Sequence, residues 1–111
     1  RVWALTPRFM SYTLSKAALW SATQTLAQAL APDIRVNGIG PGPTLSNTRQ
    51  SDEDFQAQIK ATILQVQPQL SEFAAAIDFI RQAPSMTGQM IALDSGQHLA
   101  WQTPDVVGCF E

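Results

Sequence analysis

Tyr12 and Lys16 stand four residues apart. In a helix that spacing puts a phenol and an ammonium on one face, within reach of each other. A phenol is a poor base at neutral pH, but an ammonium beside it favours the phenolate. A tyrosine so placed can exchange a proton with a carbonyl or an alcohol. Taken alone the pair is a weak signal, because many helices carry a Tyr and a Lys at this spacing by chance. Its weight comes from the residues downstream of it. Arg35-Val36-Asn37 runs into Gly38-Ile39-Gly40-Pro41-Gly42-Pro43; glycine lets a backbone approach a ligand closely, and proline fixes the course of a loop.

Other reactive residues carry less. His98 is the single histidine, and no Cys or carboxylate cluster joins it to complete a metal site; it reads as a surface or interface histidine. Cys109 is the single cysteine, so no internal disulfide is open to it, which fits a reducing compartment. Asp52, Glu53 and Asp54 look like paired acids, yet capping of a helix explains them.

The elements that must position these residues follow from the pattern of breakers. Residues 1–8 read as loop. Residues 9–30 are rich in Ala, Leu and Gln and predict a helix that Pro32 stops. Its apolar residues, Trp20 among them, keep to no narrow stripe, which predicts burial on several faces or in a subunit interface. Residues 34–39 alternate and carry β-branched residues, predicting a strand that the Gly/Pro segment ends. Ser51 followed by three acids predicts a helix start, with apolar positions from Phe55 to Val66 and a stop at Pro68. Ser71 is the expected cap of a further helix, in which Phe73, Ala76, Ile77 and Ile80 share a face. Residues 89–93 predict a second strand closed by Asp94-Ser95-Gly96, and the tail reads as irregular. Two strands separated by helices imply a parallel pair joined by a crossover. A parallel sheet ordinarily has more than two strands with helices on both faces. The expectation is a single partial domain over residues 1–111, unstable alone.

Composition narrows the partners. A net charge of −2 with seven scattered Lys and Arg argues against a nucleic-acid surface, which needs clustered cations. The most apolar stretch, residues 17–31, is broken by Ser21, Thr23, Gln24, Thr25 and Gln28, so no membrane span is expected. The reading is a soluble, cytoplasmic protein.

The whole pattern resembles the short-chain dehydrogenase/reductase family. Tyr12, Ser15, Lys16, Ala17 and Ala18, then Arg35, Val36, Asn37, Pro41 and Gly42, fall at that family's separations. Thr87-Gly88-Gln89 and Asp94-Ser95-Gly96 resemble its closing signature. The resemblance implies an α/β fold, the C-terminal part of a doubly wound parallel-sheet (Rossmann-like) domain whose N-terminal half is missing. It implies that Tyr12 is the general acid/base and that Lys16 assists it and binds the nicotinamide ribose. Tyr12, Lys16, Pro41, Gly42, Pro43 and Thr44 would form the cofactor side, and Trp3, Tyr12 and Leu45 the substrate side. The cofactor implied is NADP(H), with NAD(H) as the alternative, and the assembly a homo-dimer or tetramer to which Trp101 and Phe110 contribute.

Two segments, Gly40-Pro41-Gly42-Pro43-Thr44 and Gly96-Gln97-His98-Leu99, resemble the pteridine-reductase-like members. They imply reduction of a small conjugated C=O or C=N substrate, a dihydropterin, in a pocket to which Trp3 and Phe9 could add aromatic faces. A 3-oxoacyl-carrier-protein or other carbonyl reductase is the alternative within the family. A non-catalytic oligomerisation module is the alternative outside it. The departures are specific. The family's catalytic serine and glycine-rich loop are expected upstream of Arg1, which would leave the isolated fragment inactive. Ser95 stands where glycine is usual, tolerable unless that position requires a positive φ.

Overall fold

A computed structural model of the chain describes Trp3, residues 5–46, Thr48 and residues 50–109. A 3-10 turn, Pro7–Phe9, leads into helix α1, Met10–Ala29. Strand β1, Gly38–Pro41, is followed by α2, Asp52–Lys60, α3, Leu70–Gln82, and strand β2, Met90–Leu93. β1 and β2 pair in parallel with Gly38 opposite Met90 and Pro41 opposite Leu93. The helical crossover α2–α3 is the connection that parallel strands require. A second 3-10 turn, Gln97–Leu99, follows β2.

The strands begin later than the β-branched run suggests. Residues 34–37 are not strand, because Arg35 and Asn37 spend their side chains on the segment before β2. Arg35 Nη1 donates to the carbonyls of Ala83 and Met86, both at 3.0 Å. Asn37 Nδ2 donates to the Met86 carbonyl at 2.9 Å, and its Oδ1 accepts from the Gln89 N–H at 3.1 Å. Side-chain bonds, with one backbone bond from the Gly88 N–H to the Val36 carbonyl at 2.7 Å, hold the approach, and the regular ladder begins only at Gly38.

α2 also departs from the expectation, ending at Lys60 rather than Pro68. Thr62 is the cause: its buried hydroxyl donates to the Ile59 carbonyl at 2.7 Å and accepts from the Gln65 N–H at 3.1 Å. Such local side-chain bonds replace the helical ladder, and Gln65 then turns at φ 54°. Ser51 caps α2 as expected, accepting from the Asp54 N–H at 3.1 Å. α3 starts slightly earlier than Ser71 indicates; Gln69 is its N-cap and forms a capping box with Glu72.

The core is thin. Among the described residues Ala27, Phe55, Ile59 and Ala76, with Pro43 and Pro68, are the buried apolar residues, and no large side chain is fully buried. On α3, Ala76 is buried, while Ile77 of the expected face is 59% exposed. The radius of gyration is 16.4 Å, against about 13 Å for a compact domain of this length. The accessible surface is 8511 Å², against roughly 6,000 Å² for a compact monomer of this mass. Exposed apolar side chains are spread along the chain, on α1 among other places, where Leu14 is 63% and Leu19 60% exposed.

Candidate active-site cleft

The first residues of α1 are tied down locally. Thr13 Oγ1 lies 2.9 Å from Thr6 Oγ1, and the Phe9 N–H donates to the Thr6 carbonyl at 3.0 Å. One turn on, Lys16 Nζ sits 5.5 Å from the centre of the Tyr12 ring, inside the range of a cation–π contact. Ser15 turns away from this face and donates to the Tyr12 carbonyl at 2.8 Å. Tyr12 is 47% exposed and Lys16 half-buried, so both heads reach open space.

That space is a cleft of about 750 Å³ between α1, the carboxyl ends of β1 and β2, and α2. Open α/β sheets take ligands at the carboxyl ends of their strands. From α1 the cleft receives Tyr12, Lys16, Leu19 and Trp20; from α2 it receives Phe55 and Gln58. Pro41, Gly42, Pro43, Thr44 and Leu45 form its floor, and Trp3 and Phe9 its edge. Every residue expected on the cofactor and substrate sides therefore lines one cavity.

The floor is fixed by three segments bonded to one another. Gly42 lies so close to the β2 end that an added Cβ would fall 2.6 Å from the Asp94 Cα. Only glycine fits. The Gly42 N–H donates to the Leu93 carbonyl at 3.0 Å, and Pro43 behind it is buried. Thr44 Oγ1 donates to the Gly42 carbonyl at 3.0 Å, and the Thr44 carbonyl accepts from Gln67 Nε2 at 2.7 Å. Ser95 Oγ in turn donates to the Val66 carbonyl at 2.6 Å, and the Leu64 N–H to the Ser95 carbonyl at 3.1 Å. Ser95 adopts φ 53°, so the position does demand the left-handed region, and these two bonds hold a serine there.

His98 is the cleft residue that sequence reasoning misplaced. It lines the same cavity as Tyr12 rather than standing on an outer surface. Its Nδ1 is 2.8 Å from Asp94 Oδ2, and its ring meets that of Trp3 edge to face at 4.9 Å. An Asp four residues before a His was the available signal. Trp101 and Cys109 are exposed outside the cleft, and Phe110 lies outside the described residues. Asp52 and Glu53 sit at the exposed start of α2, where capping accounts for them. Among the described residues, no group of three or more metal-ligating side chains occurs and no helix is long and apolar enough to cross a membrane.

Residues 3–98 match the sequence model of the family described as enoyl-(acyl carrier protein) reductase. The short-chain dehydrogenase/reductase homolog YusR of Bacillus subtilis is 37% identical over 91 residues, covering 81% of this chain and 70% of that protein. Dihydromonapterin reductase of Citrobacter koseri is 32% identical over 92 residues, 83% of this chain. Among solved structures, FolM alternative dihydrofolate reductase 1 from Brucella canis, complexed with NADP, superimposes with a TM-score of 0.91 at 61% identity over 96% of this chain. The chain spans 38% of the dihydromonapterin reductase and 42% of the FolM chain.

Proposed function

Because the chain belongs to the short-chain dehydrogenase/reductase family, we propose that its cleft is the catalytic side of an NADP(H)-dependent reductase acting on a dihydropterin. The observation that carries this reading is the convergence of Tyr12, Lys16 and the Gly42–Thr44 floor on one cavity at the carboxyl ends of two parallel strands. The FolM structure complexed with NADP and the dihydromonapterin reductases support the choice of cofactor and substrate.

The residues present fit a dinucleotide's nicotinamide end. Gly42 lines the cleft as backbone alone, with the place of its absent side chain taken by Asp94, and backbone without a side chain is a surface that a flat ring and its amide approach closely. Lys16 offers three donors on a half-buried stem and would bind the ribose hydroxyls. Pro41, Pro43 and Thr44 would border the ring. When bound, the cofactor supplies the hydride. Tyr12 holds the proton: its hydroxyl would donate to the substrate oxygen or ring nitrogen that gains electron density, and the Lys16 ammonium beside the ring would stabilise the phenolate left behind. Trp3 and Leu45 would flank the substrate, with Trp3 giving an aromatic face.

Exposed α1 favours a second, compatible role. Leu14, Leu19 and Leu26 are each 47% or more exposed along this helix, which supports homo-oligomer formation through α1. An acyl-carrier-protein-linked substrate is the alternative within the family, favoured by the description of the matching model as an enoyl-(acyl carrier protein) reductase.

The test uses the protein expressed at its full natural length. Tyr12→Phe removes the proton and keeps the ring, so turnover of a dihydropterin with NADPH should fall by at least about a hundredfold, the lower end of general acid–base contributions. NADPH affinity, read by tryptophan fluorescence, should stay within about twofold to tenfold, since one hydroxyl contributes little to the binding of a large dinucleotide. Wild-type-like turnover in this variant would remove Tyr12 from the chemistry.

A further inference from the structure

Asp94 is spent on three donors at the end of β2. Its Oδ1 accepts from the Gly96 N–H at 3.1 Å; its Oδ2 accepts from the His98 N–H at 3.0 Å and faces His98 Nδ1 at 2.8 Å. The carboxylate has only 12% of its side chain exposed, the imidazole 28%. Two backbone bonds suffice to form the Gln97–Leu99 turn. The third fixes an imidazole ring, which the turn does not need.

Fixing Nδ1 has a chemical consequence. A carboxylate at Nδ1 holds the hydrogen there, so the neutral ring presents Nε2 as an acceptor. Among the described residues Nε2 carries no hydrogen bond. The ring is also locked in angle by the edge-to-face contact with Trp3. An oriented acceptor next to an indole face, in the same cleft as Tyr12, suits a flat heteroaromatic ligand that carries N–H donors on its edge. A quinone or a simple aldehyde has no such donor to offer.

We propose that Asp94, His98 and Trp3 form a substrate-selecting wall. His98 Nε2 accepts a hydrogen bond from an amino or ring N–H of the substrate, Trp3 stacks on its plane, and Asp94 is a positioning residue that acts through His98. This rests on the pterin-reductase reading above and names the residue that would distinguish a pterin from an acceptor without N–H groups. The wall belongs to recognition, and Tyr12 and Lys16 keep the proton chemistry.

The test compares two acceptors on the full-length protein with NADPH: a 7,8-dihydropterin and a quinone without N–H groups. For His98→Ala, kcat/KM on the dihydropterin should fall about tenfold more than on the quinone, the size expected for one buried hydrogen bond, and through KM. His98→Gln, which keeps an acceptor at similar reach, should recover part of the loss, and Asp94→Asn should fall between the two. In the wild-type protein the His98 Nε2 signal, read by 15N NMR on histidine-labelled protein, should shift on adding the dihydropterin and not the quinone. That measurement decides even where a variant folds poorly. Equal losses on both acceptors, or an unmoved Nε2 signal while the wild type turns over the dihydropterin, would overturn the wall and leave the pterin reading standing. No wild-type turnover of any dihydropterin would overturn both.

Discussion

The cleft floor and helix α1 are held in opposite ways. The floor is short, irregular backbone in which almost every turn is bonded to another segment: Gly42 to Leu93, Thr44 to Gln67, Ser95 to Val66 and Leu64. α1 is twenty residues of regular helix with one buried side chain, Ala27, set against Gly88. Its bonds are nearly all its own. Yet α1 carries Tyr12 and Lys16, so the proposed proton chemistry would ride on the element this chain constrains least, while the backbone proposed to face the cofactor rides on the part it constrains most. A hydrogen-bonded floor can keep its geometry within a short stretch of sequence. A long helix fixes two side chains in space only if its faces are covered, and the described residues cover little of them. The relatives that this chain matches over 38% and 42% of their lengths are where such a cover would be sought.

The sharpest way to break this contrast is Gly42→Ala. A methyl group there meets backbone at 2.6 Å, and backbone cannot rotate aside as a side chain could. The floor should lose about 3 kcal/mol, the upper range for overpacking, seen as a lower urea midpoint in the full-length protein together with weaker NADPH binding. An unchanged midpoint would mean that the floor is looser than its bonds imply.

Thr62→Val is a smaller cut in the same region. The substitution keeps the shape and removes a hydroxyl that both donates to Ile59 and accepts from the Gln65 N–H. With that N–H left in a 3.2 Å bond to the Thr62 carbonyl, the loss should be about 1–2 kcal/mol. Its sign is informative. Should valine stabilise the protein, α2 would be extending toward Pro68, the course its apolar spacing suggests, and the hydroxyl would be what holds the helix short.

How much of this was legible in the sequence divides along the same line. Helices set by local residues were readable: α1 from its composition and Pro32, α2 from Ser51 and its acids. The parallel pairing followed from strand, helix, helix, strand order. What was misread depends on partners far away in sequence. Arg35 and Asn37 read as strand because β-branched neighbours flank them, whereas their partners lie about fifty positions on, at Ala83, Met86 and Gln89. The Ser95 backbone could not be read from its side chain, since a serine at φ 53° is held by tertiary bonds. His98 read as a surface or interface residue because nothing local places it on the cleft; the fold of the β2 end does that. At the site, the residue types and spacing pointed to Trp3, Tyr12, Lys16 and residues 41–45, which line the cleft, but not to His98 or to the hydrogen bonds that hold its floor.

The smallest expected effect, that of a Leu14 substitution in the 111-residue chain, is the most discriminating for α1. Leu14→Ser replaces an apolar side chain that is 63% exposed, and serine keeps the helix at a modest propensity cost of a few tenths of a kcal/mol. In the 111-residue chain the helical signal by circular dichroism should therefore change within experimental scatter, as for a surface substitution worth under about 0.5 kcal/mol. In the full-length protein the same change should cost about 1.5–3 kcal/mol if that face is covered there, the value of burying a leucine. The two measurements share one substitution, so the difference between them is the contribution of whatever lies on α1. A dependence of that difference on protein concentration would assign the cover to a second copy of the chain. Independence of concentration would assign it to the same polypeptide, and Tyr12 and Lys16 would then be positioned without an oligomer. Equal, negligible effects in both would leave α1 uncovered everywhere, and the pair would lack the rigid support that a proton-transferring site requires.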